Sequence, residues 1–135
     1  MSTLLANITI LVIDDDADTC ELLRTLLKEY GTNVMVANSV DAALALCRRT
    51  PPHLVVSDIR LGSSDGFALI ETIRQYNKEY RGYTPAIAIT GFASPGDEER
   101  ALAAGFNAYI PKPFDPIDLI TTIRSLLRNT AGLAA

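Results

Sequence analysis

The chain has 135 residues, 48% hydrophobic and 21% charged, the balance of one ordinary globular domain long enough to bury a substantial core. Twelve Lys and Arg against 16 Asp and Glu leave a formal charge of −4, so no basic surface for a polyanion is expected and direct nucleic-acid contact is not. The start carries no basic segment followed by a long apolar stretch, and no apolar run reaches the ~18 residues of a membrane span. A cytoplasmic chain without membrane insertion is therefore the expectation.

Short apolar runs alternate with helical patterns five times, the mark of βα units and of a parallel sheet covered on both faces. The first run, Ile8 to Ile13, stops in Asp14-Asp15-Asp16. Asp16 reads as the cap of a helix with the stripe Leu23, Leu26, Leu27 and Tyr30, which Gly31 can stop in a left-handed conformation. A second strand spans Asn33 to Ala37, and Ser39 caps a helix running to about Arg49, before Pro51-Pro52. His53 reads as a surface or packing residue at the entry to the third strand, Leu54 to Ser57. That strand stops in Asp58, ahead of an irregular loop through Arg60-Leu61-Gly62-Ser63-Ser64.

The third helix follows a turn at Asp65-Gly66, faces Phe67, Ile70 and Ile73 inward, and is predicted to fray in the polar stretch Gln75 to Gly82. The fourth strand is Ala86 to Thr90. Ser94-Pro95-Gly96-Asp97 offers a cap, a proline at the first helical position and an acid three residues on, and Gly105 ends that helix. After a fifth strand, Ala108 to Ile110, the segment Asp115-Pro116-Ile117-Asp118 repeats the arrangement before Leu119, Ile123, Leu126 and Leu127. Residues 129–135 are expected to form a frayed tail. Cys20 and Cys47 fall inside helices without CxxC spacing or a neighbouring histidine, and read as reduced packing residues.

Two buried strands that both stop in acid point to one shared anionic pocket. In an open parallel α/β sheet, ligands bind beyond the carboxyl ends of strands where strand order reverses. Right-handed crossovers make the first and third strands parallel, and their adjacency would bring Asp14, Asp15 and Asp58 to one edge. Carboxylates gathered there repel one another unless a hard divalent cation such as Mg²⁺ sits among them. Thr90 and Lys112 also stand at strand ends with no packing reason to be there. Carboxylates, a hydroxyl and an ammonium converging at a sheet edge suit a transferring phosphoryl group.

With Leu11-Val12-Ile13-Asp14-Asp15-Asp16, Ser57-Asp58, Asp65-Gly66, Ile89-Thr90-Gly91 and Lys112-Pro113-Phe114 in this order and spacing, residues 7–128 resemble the receiver domain of two-component response regulators. The resemblance implies a CheY-like, doubly wound five-stranded parallel sheet of flavodoxin-like order 2-1-3-4-5, with five helices on both faces. It implies that Asp58 accepts a phosphoryl group from the phosphohistidine of a histidine kinase or histidine phosphotransfer protein. Mg²⁺, or Mn²⁺ in its place, would be held by Asp14, Asp15, Asp58 and the backbone carbonyl of Arg60. Lys112 would pair with the phosphoryl oxygens across a cis bond to Pro113. Thr90 and Tyr109 would act as switch residues, Tyr109 being equally a core aromatic. Phe92 and Arg60 hold the two positions that modulate water access to the acyl phosphate, and slow self-dephosphorylation follows from their bulk.

Leu61-Gly62 departs from the family's Met-Pro, which implies a looser loop over Arg60 to Ser64. The segment Arg81 to Gly91 looks like receivers attached to hybrid histidine kinases. Such a domain catalyses only its own phosphorylation and dephosphorylation and is no enzyme toward foreign substrates. A Mg²⁺-dependent phosphohydrolase or phosphotransferase is the alternative, but the chain lacks the cap or long loops that would enclose a substrate. A phosphorylation-independent interaction module is the third reading, and the joint presence of Asp14, Asp15, Asp58, Thr90 and Lys112 argues against it.

Overall fold

The apolar runs separate by parity, and that separation builds the two faces of the molecule. A computed structural model describes residues 5–61, 64–80, 82–91 and 94–134. In chain order the elements are β1 (Thr9–Ile13), α1 (Ala17–Lys28), β2 (Asn33–Ala37), α2 (Val40–Arg49), β3 (Leu54–Ser57), β4 (Arg60–Leu61) and β5 (Ser64–Asp65). They continue with α3 (Gly66–Tyr80), β6 (Ala86–Thr90), α4 (Asp97–Ala104), β7 (Ala108–Pro111) and α5 (Pro116–Ala134). Five strands form one parallel sheet in the order β2-β1-β3-β6-β7. Counted without the two-residue antiparallel pair β4-β5, this is the order 2-1-3-4-5.

Because successive side chains of a strand point to opposite faces, Leu11, Ile13 and Val55 pack with Ala43 of α2, Ile70 and Ile73 of α3 and Ala101 of α4. Ile10, Val12, Leu54, Val56, Ile87 and Ile89 pack on the other face with Leu23 and Leu27 of α1 and Leu119 and Ile123 of α5. Each fully buried Leu or Ile stabilises the fold by roughly 1.5–3 kcal/mol before entropy is counted. β2 and β7 are the edge strands; the first four residues of β2 and all four of β7 are exposed or half-buried, so the expectation of strands covered on both faces fails at the two edges.

The caps at Asp16 and Ser39 form, accepting from the amides of Asp18 and Ala42. Asp115 opens α5 by accepting from the Ile117 amide. Three expectations need correction. Helix α4 begins at Asp97, not Pro95: its N-cap is Gly96 at φ 88, and the Asp97 carboxylate reaches back to the Ser94 amide at 2.9 Å. Helix α3 stays regular to Tyr80 instead of fraying from Gln75, because Asn77 is buried and hydrogen-bonded to Arg74 and Thr84. Helix α5 runs on to Ala134 through the segment expected to fray; Thr130 donates to the Leu126 carbonyl, and alanine-rich sequence favours helix.

Candidate functional site

Strand register alone brings the acids together. β1 and β3 are neighbours with Ile13 opposite Ser57, so Asp14 and Asp58 leave the sheet side by side, and the Asp58 amide donates to the Ile13 carbonyl at 2.9 Å. From β1 the chain moves out to β2 and then back past β1 to β3, so the pair occupies the crevice where strand order reverses.

Both acids are buried, Asp14 at 3% and Asp58 at 8% exposure. Positive charge arrives from the end of β7. Lys112 Nζ lies 2.9 Å from Asp14 Oδ2 and 3.1 Å from Asp58 Oδ2. The main chain delivers it there: the Lys112 amide donates to the Thr90 carbonyl at 2.8 Å, and the Lys112–Pro113 bond is cis, as the resemblance implied. Backbone amides hold the other carboxylate oxygens. Asp16 N–H donates to Asp14 Oδ1 at 2.9 Å and Arg60 N–H to Asp58 Oδ1 at 3.0 Å.

Two carboxylates against one ammonium leave the cluster short of positive charge. Burial holds the Asp14 carboxyl above the usual carboxylate range, with the Asp58 charge adding to the rise, although hydrogen bonds from Lys112 and the Asp16 amide oppose it. Burial pulls the Lys112 ammonium down, but its hydrogen bonds to Asp14 and Asp58 together outweigh that, and its pKa stands above the ordinary lysine value. Asp15 is exposed beside the pair. Among the described residues, no three His, Cys, Asp or Glu side chains gather into a ready-made metal cage. Mg²⁺ keeps several waters and takes only one or two carboxylates, so it needs no such cage. The donor set, all oxygen and short of positive charge, fits that ion.

Thr90 ends β6 at 1% exposure, and it meets the site through its carbonyl's bond to Lys112. Tyr109 sits half-buried on β7, packed against the core cluster, with a buried hydroxyl that has no hydrogen-bond partner among the described residues. Burial, then the charges of Asp97 and Glu98 in the first turn of α4, push that phenol above its ordinary pKa. An unpaired buried hydroxyl costs stability, so Tyr109 is a core aromatic with an unmet polar demand. Arg60 is exposed, its amide turned to Asp58. Phe92 lies outside the described residues, as do Gly62 and Ser63 of the loop expected to be loose.

Three supporting groups escaped sequence reasoning. Cys20 Sγ donates to the Asp14 carbonyl at 3.3 Å, Ser57 Oγ donates to the Asp58 carbonyl at 2.8 Å, and Gly66 packs on the Asp58 backbone. Ser57 and the Asp65-Gly66 pair stand in the motifs that carry the resemblance, but the spacing gives neither Ser57 nor Gly66 its place against the Asp58 backbone.

The model of the response regulator receiver domain matches residues 10–124. An uncharacterized 14.6 kDa protein from the sodA1 3' region of Leptolyngbya boryana is 46% identical over 121 residues, covering 89% of this chain and 90% of that protein. The transcriptional regulatory protein ZraR of Escherichia coli K12 is 35% identical over 129 residues, which are 96% of this chain but 28% of ZraR. The crystal structure of a response regulator receiver domain protein (CheY-like) from Methanospirillum hungatei superposes with a TM-score of 0.83 at 29% identity, covering 92% of this chain and 96% of that one.

Proposed function

The chain belongs to the response regulator receiver domain family, and from that premise we propose that Asp58 accepts a phosphoryl group from the phosphohistidine of a histidine kinase or phosphotransfer protein, in a Mg²⁺-dependent transfer carried out by residues 7–128. The observation that carries the reading is the Lys112 bridge: one ammonium on two buried carboxylates, at the crevice where strand order reverses. A purely structural ion pair would balance its charges, and a buried pair that does not is a poor stabiliser. An acid cluster short of positive charge has a use if a cation and an anionic group arrive together.

Arg60 N–H and Lys112 Nζ hold the two oxygens of Asp58 and so fix the direction of its carboxylate. In the transfer, an Asp58 oxygen forms the new P–O bond as the P–N bond breaks, and the electron pair of that bond leaves with the partner's imidazole. Lys112 then pairs with an equatorial phosphoryl oxygen, and the Thr90 hydroxyl donates to another. Mg²⁺, when bound, neutralises charge on the phosphoryl oxygens, and Asp14, Asp15, Asp58 and the Arg60 carbonyl are the groups that would hold it. Movement of Thr90 leaves room behind it, and Tyr109 turns toward that space, where its hydroxyl can find a partner. The phosphoryl group thereby favours one of two packings.

The test is intact mass after incubation with Mg²⁺ and acetyl phosphate. One added phosphoryl group, lost on omitting Mg²⁺ and in Asp58→Asn, is the expected result. Addition that survives Asp58→Asn overturns the assignment. No addition, together with no binding of a beryllium fluoride complex, favours the phosphorylation-independent module.

A further inference from the structure

We infer that Gly66 is a positioning residue for Asp58: its missing side chain lets the start of α3 rest on the Asp58–Arg60 turn and aim the carboxylate. After Asp58 the chain doubles back through the β4-β5 pair, with Arg60 opposite Asp65 and Leu61 opposite Ser64. That return sets Gly66 down on the turn it has just left. The Gly66 amide donates to the Ile59 carbonyl at 2.6 Å. A Cβ at this position would lie 2.6 Å from the Asp58 carbonyl oxygen and 3.0 Å from Ile59 Cα. Both neighbours are backbone, so neither can rotate aside.

Gly66 is not among the glycines of positive φ, so the demand here is for space and not for a left-handed conformation. The turn cannot retreat inward either, since Ile59 and Leu61 are buried in the core cluster. A methyl group at residue 66 therefore shifts the Asp58–Arg60 backbone sideways. The Arg60 amide, 3.0 Å from Asp58 Oδ1, moves with it, as does the Arg60 carbonyl. Damage falls on the aim of the carboxylate and on the oxygens offered to a cation, while the sheet register, set by β1 and β3, is left alone. Gly82 supplies the control, because a Cβ there meets nothing within 4 Å.

This inference rests on the phosphoryl-accepting reading of Asp58. Gly66→Ala and Gly82→Ala would be compared with wild type for the Mg²⁺ concentration that half-saturates phosphorylation by acetyl phosphate, with thermal unfolding followed alongside. Gly66→Ala is expected to need about tenfold more Mg²⁺ or beyond, the usual loss when a group supporting a metal ligand is disturbed, with a smaller loss of rate at saturation. Gly82→Ala is expected to match wild type. An unchanged Mg²⁺ requirement in folded Gly66→Ala overturns the inference. Should that variant not fold, or should wild type itself take up no phosphoryl group, amide exchange in the wild-type chain decides. Arg60 and Gly66 amides opening as one unit supports the inference, and independent opening overturns it. Failure of phosphorylation in wild type counts against the role of Asp58, separately from this.

Discussion

At the carboxyl end of the sheet two buried carboxylates share one ammonium, whereas at the opposite end the half-buried guanidinium of Arg74 has no ion pair among the described residues. Arg74 Nε donates to the Gly105 carbonyl at 2.9 Å, one terminal nitrogen to Asn77 Oδ1 and the Thr84 carbonyl at 2.7 and 2.6 Å, and the other to Asn107 Oδ1 at 2.8 Å. The group also stacks on Tyr83, 4.4 Å from the ring centroid. Asn107 Oδ1 accepts the Ala86 amide as well, so one arginine ties α3, the start of β6, the end of α4 and the approach to β7. Burial lowers the Arg74 pKa, against the opposing charge of Tyr83, yet Nε and both terminal nitrogens each find an oxygen. One end of the sheet is satisfied and holds the fold, and the other is left wanting charge and is free to do chemistry.

Substitution should separate the two ends. The largest effect expected is at the acid end, where Asp58→Asn abolishes phosphoryl uptake in the mass assay without lowering stability in urea, since it removes a charge that Asp14 repels. Arg74→Met should do the reverse. It strands several buried acceptors and is expected to cost about 2–4 kcal/mol in urea unfolding, while the folded protein keeps its rate of phosphoryl uptake. A loss of uptake as complete as that of Asp58→Asn would break the comparison.

A smaller effect belongs to Lys112. Its folded pKa is raised, so the stability it contributes is whole below the ordinary lysine value of about 10.4 and disappears as pH climbs through the folded value. The gap in urea midpoint between wild type and Lys112→Met, on the order of 1 kcal/mol, should therefore close only in that alkaline window. A gap that closes near neutrality would contradict it. The smallest effect is on the thiols. Burial pushes the Cys47 thiol up to about 11 and raises that of Cys20, so on the order of 0.1% of Cys47 is thiolate at pH 8. Native protein should react far more slowly with a thiol-exchanging disulfide reagent than unfolded protein does.

The acid end was legible because its residues break a pattern. Asp14, Asp58, Thr90 and Lys112 are polar residues closing apolar runs, and parallel β units must send those closures to one edge. The satisfied end was not legible. Nothing in the sequence marks Arg74, and its partners Gly105 and Asn107 lie 31 and 33 residues away, with no charge to advertise the contact. The same hidden network explains why α3 runs past Gln75. At Gly66 the sequence offered a turn signal, but close approach to the Asp58 carbonyl depends on how the β4-β5 pair folds back, which spacing does not disclose. Helix α4 began late because Pro95 and Gly96 form a turn; of the capping arrangement read at Ser94, the half in which the Asp97 side chain caps the Ser94 amide does form, but before the helix and not within it.

The most direct test of the central claim is to phosphorylate wild-type protein with acetyl phosphate and Mg²⁺, reduce it with borohydride, and map the product by peptide mass spectrometry. Borohydride converts an aspartyl phosphate to homoserine and leaves free carboxylates intact. Homoserine at position 58 alone is the expected result. Homoserine at Asp14 or Asp15, or a phosphoryl group that borohydride leaves in place, would contradict the account.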